Sequence, residues 1–311
     1  MFNPGDPPSP VLMTHIHQQA CLSPQAAETL RLGRISYLNV LPIYYALEQG
    51  CIQHDFRMIS GPPAELNTRM AAGELDISSA SSIEYARHWP HYRLLPDLAI
   101  GSQGPVQSVL LLSQIPITEL GGQSILISAQ THTSAALLRL LMREQLNLAV
   151  TYQTGDITAR LQAGQPPTAF LAIGDEALRL RSHPDYTHAL DLGQSWLEWT
   201  GLPFIFGLWI SSERGDEERQ RLILQGSRQL LASKDWGMKH IPFFARMISD
   251  QGILTYASLL SYFQGLVFAF GQREQDGLRL FYRKLYLSGE ISSLPELRFL
   301  AIPNDREQIP E

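Results

Sequence analysis

One pattern limits what this chain can fold into more than any other. Four times, a short apolar run ends in hydroxyl or amide residues and a helix start follows. The turns fall at residues 36–39, 78–82, 129–134 and 174–175. The first is the most legible. In LGRISYLNVLP (residues 32–42), an apolar run with Leu32 and Ile35 gives way to Ser36, Tyr37 and Asn39, and Pro42 stands where a helix opens. Short apolar runs alternating with amphipathic segments are the signature of βαβ units. In an open sheet of such units the turns collect at the carboxyl ends of the strands, where ligands bind. The expected class is α/β, and these turns are its candidate site.

The apolar runs predict strands over 32–36, 56–60, 75–78, 93–97, 108–113, 124–128, 169–173 and 204–211. Helices are predicted over 42–49, 63–72, 135–145 and 176–181, and from Ser82 onward. Gly50 and Gly73 close the first two. Ser81 and Glu84 spell a capping box, which gives Glu84 a structural task rather than a catalytic one. Residues 216–290 read as helices, the longest over 217–232, with few strands to build a sheet of their own. The expected topology is therefore a two-lobed fold with a hinged cleft. One α/β lobe spans 30–112, a second spans 113–206, and the chain returns to the first over 207–311. Residues 1–29, with Pro4, Pro7, Pro8 and Pro10, read as an N-terminal tail.

A chain of 311 residues buries a core large enough to need no disulfide or metal staple. Its net charge of −6 argues against nucleic acid and anionic membrane as partners. A small anionic ligand stays open, because backbone dipoles at helix starts act locally. Cys21 and Cys51 form no CxxC and predict two free thiols in a reducing compartment. Residues 1–30 hold no apolar secretion segment, and no window of about 18 apolar residues occurs. A cytoplasmic protein, monomer or homodimer, is expected.

Dinucleotide, P-loop, nucleophile-elbow and HExxH motifs are absent. His88 and His91 flank Trp89 without a third ligand, so a surface pair is expected and no metal. Trp196, Trp199 and Trp209 frame a segment that reads as a packed hinge strand or a cleft wall. Asp191 and Glu198 within it read as capping or solvated carboxylates. Each Ser or Thr of the four turns, taken alone, is an ordinary N-cap. Taken together, they point to an anionic ligand shared among uncharged donors.

Seven segments in fixed order resemble the chorismate dehydratases of the futalosine route to menaquinone. They are GRISYLN (33–39), GPPAELN (61–67), GELDISSASSIEYAR (73–87), GPVQSVLLLS (104–113), THTS (131–134), AIGDEAL (172–178) and EWTGLPF (198–204). Each is short, but together they span about 30–210. The family's form of the third segment, SPxSSIEYA, has proline where this chain has Ser79; Ser81 and Ser82 are retained. The resemblance implies a type II periplasmic-binding-protein fold, a lyase that converts chorismate to 3-[(1-carboxyvinyl)oxy]benzoate, and no metal or organic cofactor. It places Asn39 and Ser82 as catalytic candidates. Ser36, Ser81, Thr131, Thr133, Ser134, Gly174 and Asp175 become substrate-binding candidates, with Arg34 and Arg87 as possible carboxylate partners, Arg87 pointing away. The rivals are a sister family acting on cyclic dehypoxanthine futalosine, which lacks this combination of motifs, and a solute-binding protein, which would carry a secretion signal.

Overall fold

The structure, a computed structural model, describes residues 29–252 and 254–301. The tail expected over 1–29 and Cys21 therefore lie outside the described residues, except for Thr29. Two sheets organise the rest. The first holds β1 (Leu30–Arg34), β2 (Phe56–Ser60), β3 (Ile77–Ser81), β4 (Tyr92–Ser102), β10 (Phe204–Ser212) and β11 (Leu266–Val267), in the order β11-β4-β10-β3-β1-β2. The second holds β5 (Val109–Ser113), β6 (Ser124–Ile127), β7 (Thr151–Thr154), β8 (Ala169–Ile173) and β9 (His188–Asp191), in the order β7-β6-β8-β5-β9.

Both sheets follow one plan. Second, first and third strands run side by side, then an antiparallel strand is inserted, then the fourth follows. The inserted strand comes from the far side of a crossing: β10 between β3 and β4, and β5 between β8 and β9. The chain crosses at 103–108 and returns at 201–203, ahead of the expected 112 and 206. The reason is local. Every residue of β5 is buried, so the run reads as a central strand of either sheet.

The helices start where the turns place them. They are α1 (Leu41–Glu48), α2 (Pro63–Ala71), α3 (Ser82–His88), α4 (His132–Leu140), α5 (Ile157–Gln162), α6 (Gly174–Leu180) and α7 (Leu192–Thr200). The C-terminal stretch is helical as expected, with α8 (Glu217–Lys239), α9 (Ile241–Ser249), α10 (Tyr256–Gly265) and α11 (Gln272–Leu287). Helix α8 runs past its expected end at 232. Gly237 does not stop it but lets α1 approach: a Cβ there would lie 1.8 Å from the Pro42 carbonyl. Ser233 Oγ donates to the Ile43 carbonyl at 2.6 Å in the same seam.

Two aspartates, Asp76 buried and Asp191 half-buried, pin the halves. Asp76 accepts from the Arg31 backbone N–H and guanidinium and from Arg219 on α8. Burial pushes its carboxyl up, but the two guanidiniums outweigh that and hold it below the usual range. Asp191 caps α7 and reaches the first crossing, accepting N–H groups from Val106, Gln107, Gly193 and Gln194. Here burial wins, and the carboxyl sits above the usual range. The bonds fix Gln107 in the left-handed region, at φ +60°.

Candidate active site

The carboxyl ends of the strands face each other across a cavity of about 780 Å³ of empty space, part of it open to solvent. That size suits a small organic ligand. The four turns come from equivalent positions in the two plans. In the first half they follow β1 and β3, and in the second they follow β6 and β8. Asn39, Ser81, Thr131, Thr133, Ser134 and Gly174 all line the cavity. Its apolar surface comes from Ile35, Ile100, Val106, Val109, Ile173 and Phe206.

No Lys, Arg, Asp or Glu is among the lining residues; His132 is the one imidazole. Donors are therefore neutral. The backbone N–H groups of Thr133 and Ser134, at the start of α4, have no acceptor among the described residues. Ser134 is 8% exposed. Ser81 accepts the Glu84 N–H at 3.4 Å, capping α3 as the sequence predicts, and its own hydrogen stays available. Glu84 completes no box but turns its carboxylate to His88, at 2.9 Å, and so stays structural. Asn39 presents a buried side-chain oxygen with no partner.

Several candidates are placed away from the cavity wall. Ser82 is fully buried, absent from the cavity wall, and donates to the Ile205 carbonyl on β10 at 2.6 Å. Its hydroxyl is engaged by the sheet rather than turned to the cavity. Ser36 is exposed outside the cavity, with its Oγ near Arg34 Nη1. Asp175 does not line the cavity either. It accepts the Leu38 N–H at 3.1 Å, and burial, the largest influence, raises its carboxyl. Arg34 pairs with Glu48, and Arg87 is exposed, so neither faces the cavity. Thr131 lines the wall, but its hydroxyl donates to the Ser128 carbonyl at 2.7 Å.

Two hydrogen bonds join the facing turns across the cleft, apart from the ion pairs Lys284–Glu144 and Arg139–Glu290 that also link the halves. Thr133 Oγ1, from the β6 turn, accepts the Ile83 N–H at 3.1 Å. Asp175, from the β8 turn, accepts the Leu38 N–H. Beside the second contact, the Tyr37 ring lies against Gly174, which has φ +56°; a Cβ there would be 3.1 Å from the ring. Gly174 thus admits a tyrosine from the other half. Tyr37, Ser79 and His132 fall inside the expected turns and Phe206 inside the segment read as a hinge strand or cleft wall, but sequence reasoning singled out none of the four. Trp196 and Trp209 are buried in the core, so the aromatic wall is Phe206 instead. Cys51 is free, and no group of three or more His, Cys, Asp or Glu side chains among the described residues is placed to hold a metal ion. No described helix is long and apolar enough to cross a membrane.

Comparison with known proteins sets this geometry in a family. A chorismate dehydratase from Thermus thermophilus is 30% identical over 213 residues, 64% of this chain and 74% of that protein. A chorismate dehydratase from Campylobacter jejuni is 29% identical over 178 residues, 56% of this chain and 64% of that protein. The Candida albicans CA3427 gene product, described as having the generic periplasmic binding protein fold, superposes with TM-score 0.63 at 12% identity, covering 90% of this chain and 99% of that one. That likeness shows the fold alone: two α/β lobes around a cleft. The family model for menaquinone biosynthesis matches residues 30–287, so this chain belongs to the menaquinone biosynthesis family.

Proposed function

We propose that this chain is a chorismate dehydratase, acting in the cytoplasm on the futalosine route and forming 3-[(1-carboxyvinyl)oxy]benzoate. The observation that carries the reading is a cavity rich in neutral donors, free of fixed charge, and assembled from both lobes of a menaquinone-biosynthesis fold. Chorismate is a dianion with one ring hydroxyl. The hydrogen on its ether-bearing ring carbon is vinylogous to the ring carboxylate and therefore acidic. Removing it and expelling hydroxide yields an aromatic ring, so the substrate supplies the driving force. The protein has only to hold two carboxylates, stabilise the enolate-like charge and orient the leaving group.

Thr133 and Ser134 suit one carboxylate, through hydroxyls and the free N–H groups at the start of α4. Ser81 donates to the other from the opposite wall. Asn39 supplies an amide beside the reacting carbons. No carboxylate or lysine base lines the cavity, and the one imidazole, His132, is engaged with the Ala129 carbonyl at 3.1 Å, which favours a carboxylate of the substrate itself as proton acceptor. Incubation with chorismate tests this: a new benzoate absorbance is expected. No turnover of chorismate, with turnover of cyclic dehypoxanthine futalosine, would transfer the chain to the sister activity. Tight binding of chorismate without chemistry would make it a solute-binding protein.

A further inference from the structure

Of the buried side-chain polar atoms that lack a partner among the described residues, two belong to residues lining the cavity: Asn39 Oδ1 and Ser79 Oγ. Asn39 already has a place in the proposed function. Ser79 has none. It is 3% exposed and sits in β3, paired with Trp209 of β10. Strand alternation puts Ser79 on the same face as Ser81 and opposite Ser78. Ser81 also lines the cavity, whereas Ser78 does not and its Oγ crowds Gly33. Ser79 is thus the deeper of two serines on one wall, about 7 Å below Ser81 at strand spacing. The Tyr44 hydroxyl is its polar neighbour and feels it. Tyr44, however, donates to the Gly33 carbonyl at 3.1 Å and accepts from Trp209 Nε1 at 3.0 Å, and Ser79 makes no bond of good geometry to it.

A buried hydroxyl without a partner costs stability, and in a native fold it calls for an explanation. We propose that Ser79, which stands where the resembling family has proline, gives this chain an added contact that meets the neutral hydroxyl of the ligand at the floor of the cavity. A carboxylate does not suit that depth. No cation lies in the wall, and an anion buried against one hydroxyl would be far from compensated. A neutral hydroxyl needs only one partner, and Ser79 can donate to it or accept from it. The assignment rests on the reading of the ligand as chorismate, whose ring carboxylate and ring hydroxyl lie at opposite ends of the ring. A carboxylate held near Ser81 puts the hydroxyl one ring length away, in the direction of Ser79.

The test compares wild type with Ser79→Ala on two ligands that differ by water. Chorismate carries the hydroxyl, and 3-[(1-carboxyvinyl)oxy]benzoate keeps both carboxylates but lacks it. The expected result is a KM for chorismate raised about three- to tenfold, an unchanged inhibition constant for the benzoate, and a Tm no lower than wild type. An unchanged KM overturns the assignment. So does a parallel loss of benzoate affinity, which would make Ser79 a carboxylate contact. These outcomes leave wild-type turnover intact and so spare the proposed function. A wild type that neither binds nor converts either ligand removes both.

Discussion

The two halves share a strand plan, yet they contribute opposite things to the cleft. In each contact between facing turns the first half offers a backbone N–H, from Leu38 or Ile83, and the second half offers the side chain that accepts it, Asp175 or Thr133. The turn after β1 meets the turn after β8, and the turn after β3 meets the turn after β6. The halves also differ in how they are pinned. Asp76 is neutralised by two guanidiniums, whereas Asp191 relies on N–H groups alone, and their carboxyls shift in opposite directions. The lesson is that equivalent turns need not have equivalent jobs. Polar groups spent on closing the cleft are not free to hold the ligand, and what remains for it is Asn39, Ser79, Ser81 and Ser134, with the hydrogen and second lone pair of Thr133.

The strongest way to break the comparison is to remove the pin of the first half. Asp76→Ala leaves the partly exposed Arg31 and Arg219 guanidiniums without their carboxylate, and should destabilise the protein by about 3 kcal/mol in denaturant unfolding, at the low end for a buried pair because solvent screens both cations. The pH sign differs between the pins. The contribution of Asp76, whose carboxyl is held low, is present at neutral pH and lost as pH falls through its lowered value. That of Asp191, held high, is present in acid and lost as pH rises through its raised value. If Asp76→Ala proves neutral, the ion cluster is not the pin.

Next in size, Thr133→Val keeps the shape but leaves the Ile83 N–H buried without an acceptor. The cost should be about 1–3 kcal/mol, read as weaker ligand binding and, in solution scattering, a more open particle. Gly174→Ala comes after it. The left-handed backbone there costs about 1–2 kcal/mol for a residue with a Cβ, and that Cβ presses on Tyr37, so the KM for chorismate should rise roughly tenfold. An unchanged KM would show that Tyr37 need not dock.

The smallest effect is expected from Asp175→Asn. The amide oxygen can still accept the Leu38 N–H, and the variant loses a carboxylate whose charge burial disfavours. Tm at pH 7 should rise by on the order of a degree or two. That gain should shrink as pH falls through the raised value and the wild-type carboxyl takes up its proton. A large loss of activity in Asp175→Asn would mean that the charge itself is used.

How much of this was legible depends on range. Strand, polar turn and helix start are local patterns, so the four turns and the Ser81 cap could be read directly. Partners far along the chain could not. Ser82 finds Ile205 across 123 residues, Thr133 finds Ile83 across 50, and Asp175 finds Leu38 across 137. No local spacing tells a serine spent on a distant carbonyl from one left for a ligand. The polar strands β7 and β9 lacked an apolar signal because they lie at the edges of their sheet. Pro96 and Asp97 read as the end of a strand that continues to Ser102. Lys234 reaches from α8 to both the carboxylate and the carbonyl of Asp97 and holds the irregular residue in place.

The central claim is that a cavity without a cation holds a dianion between the two halves. A crystal structure with 3-[(1-carboxyvinyl)oxy]benzoate bound tests it most directly. The account predicts one carboxylate on Thr133 and Ser134, the other on the Ser81 wall, the ring beside Asn39, and no Lys or Arg in contact. A product held by an arginine or lysine, or seated away from these turns, would contradict it.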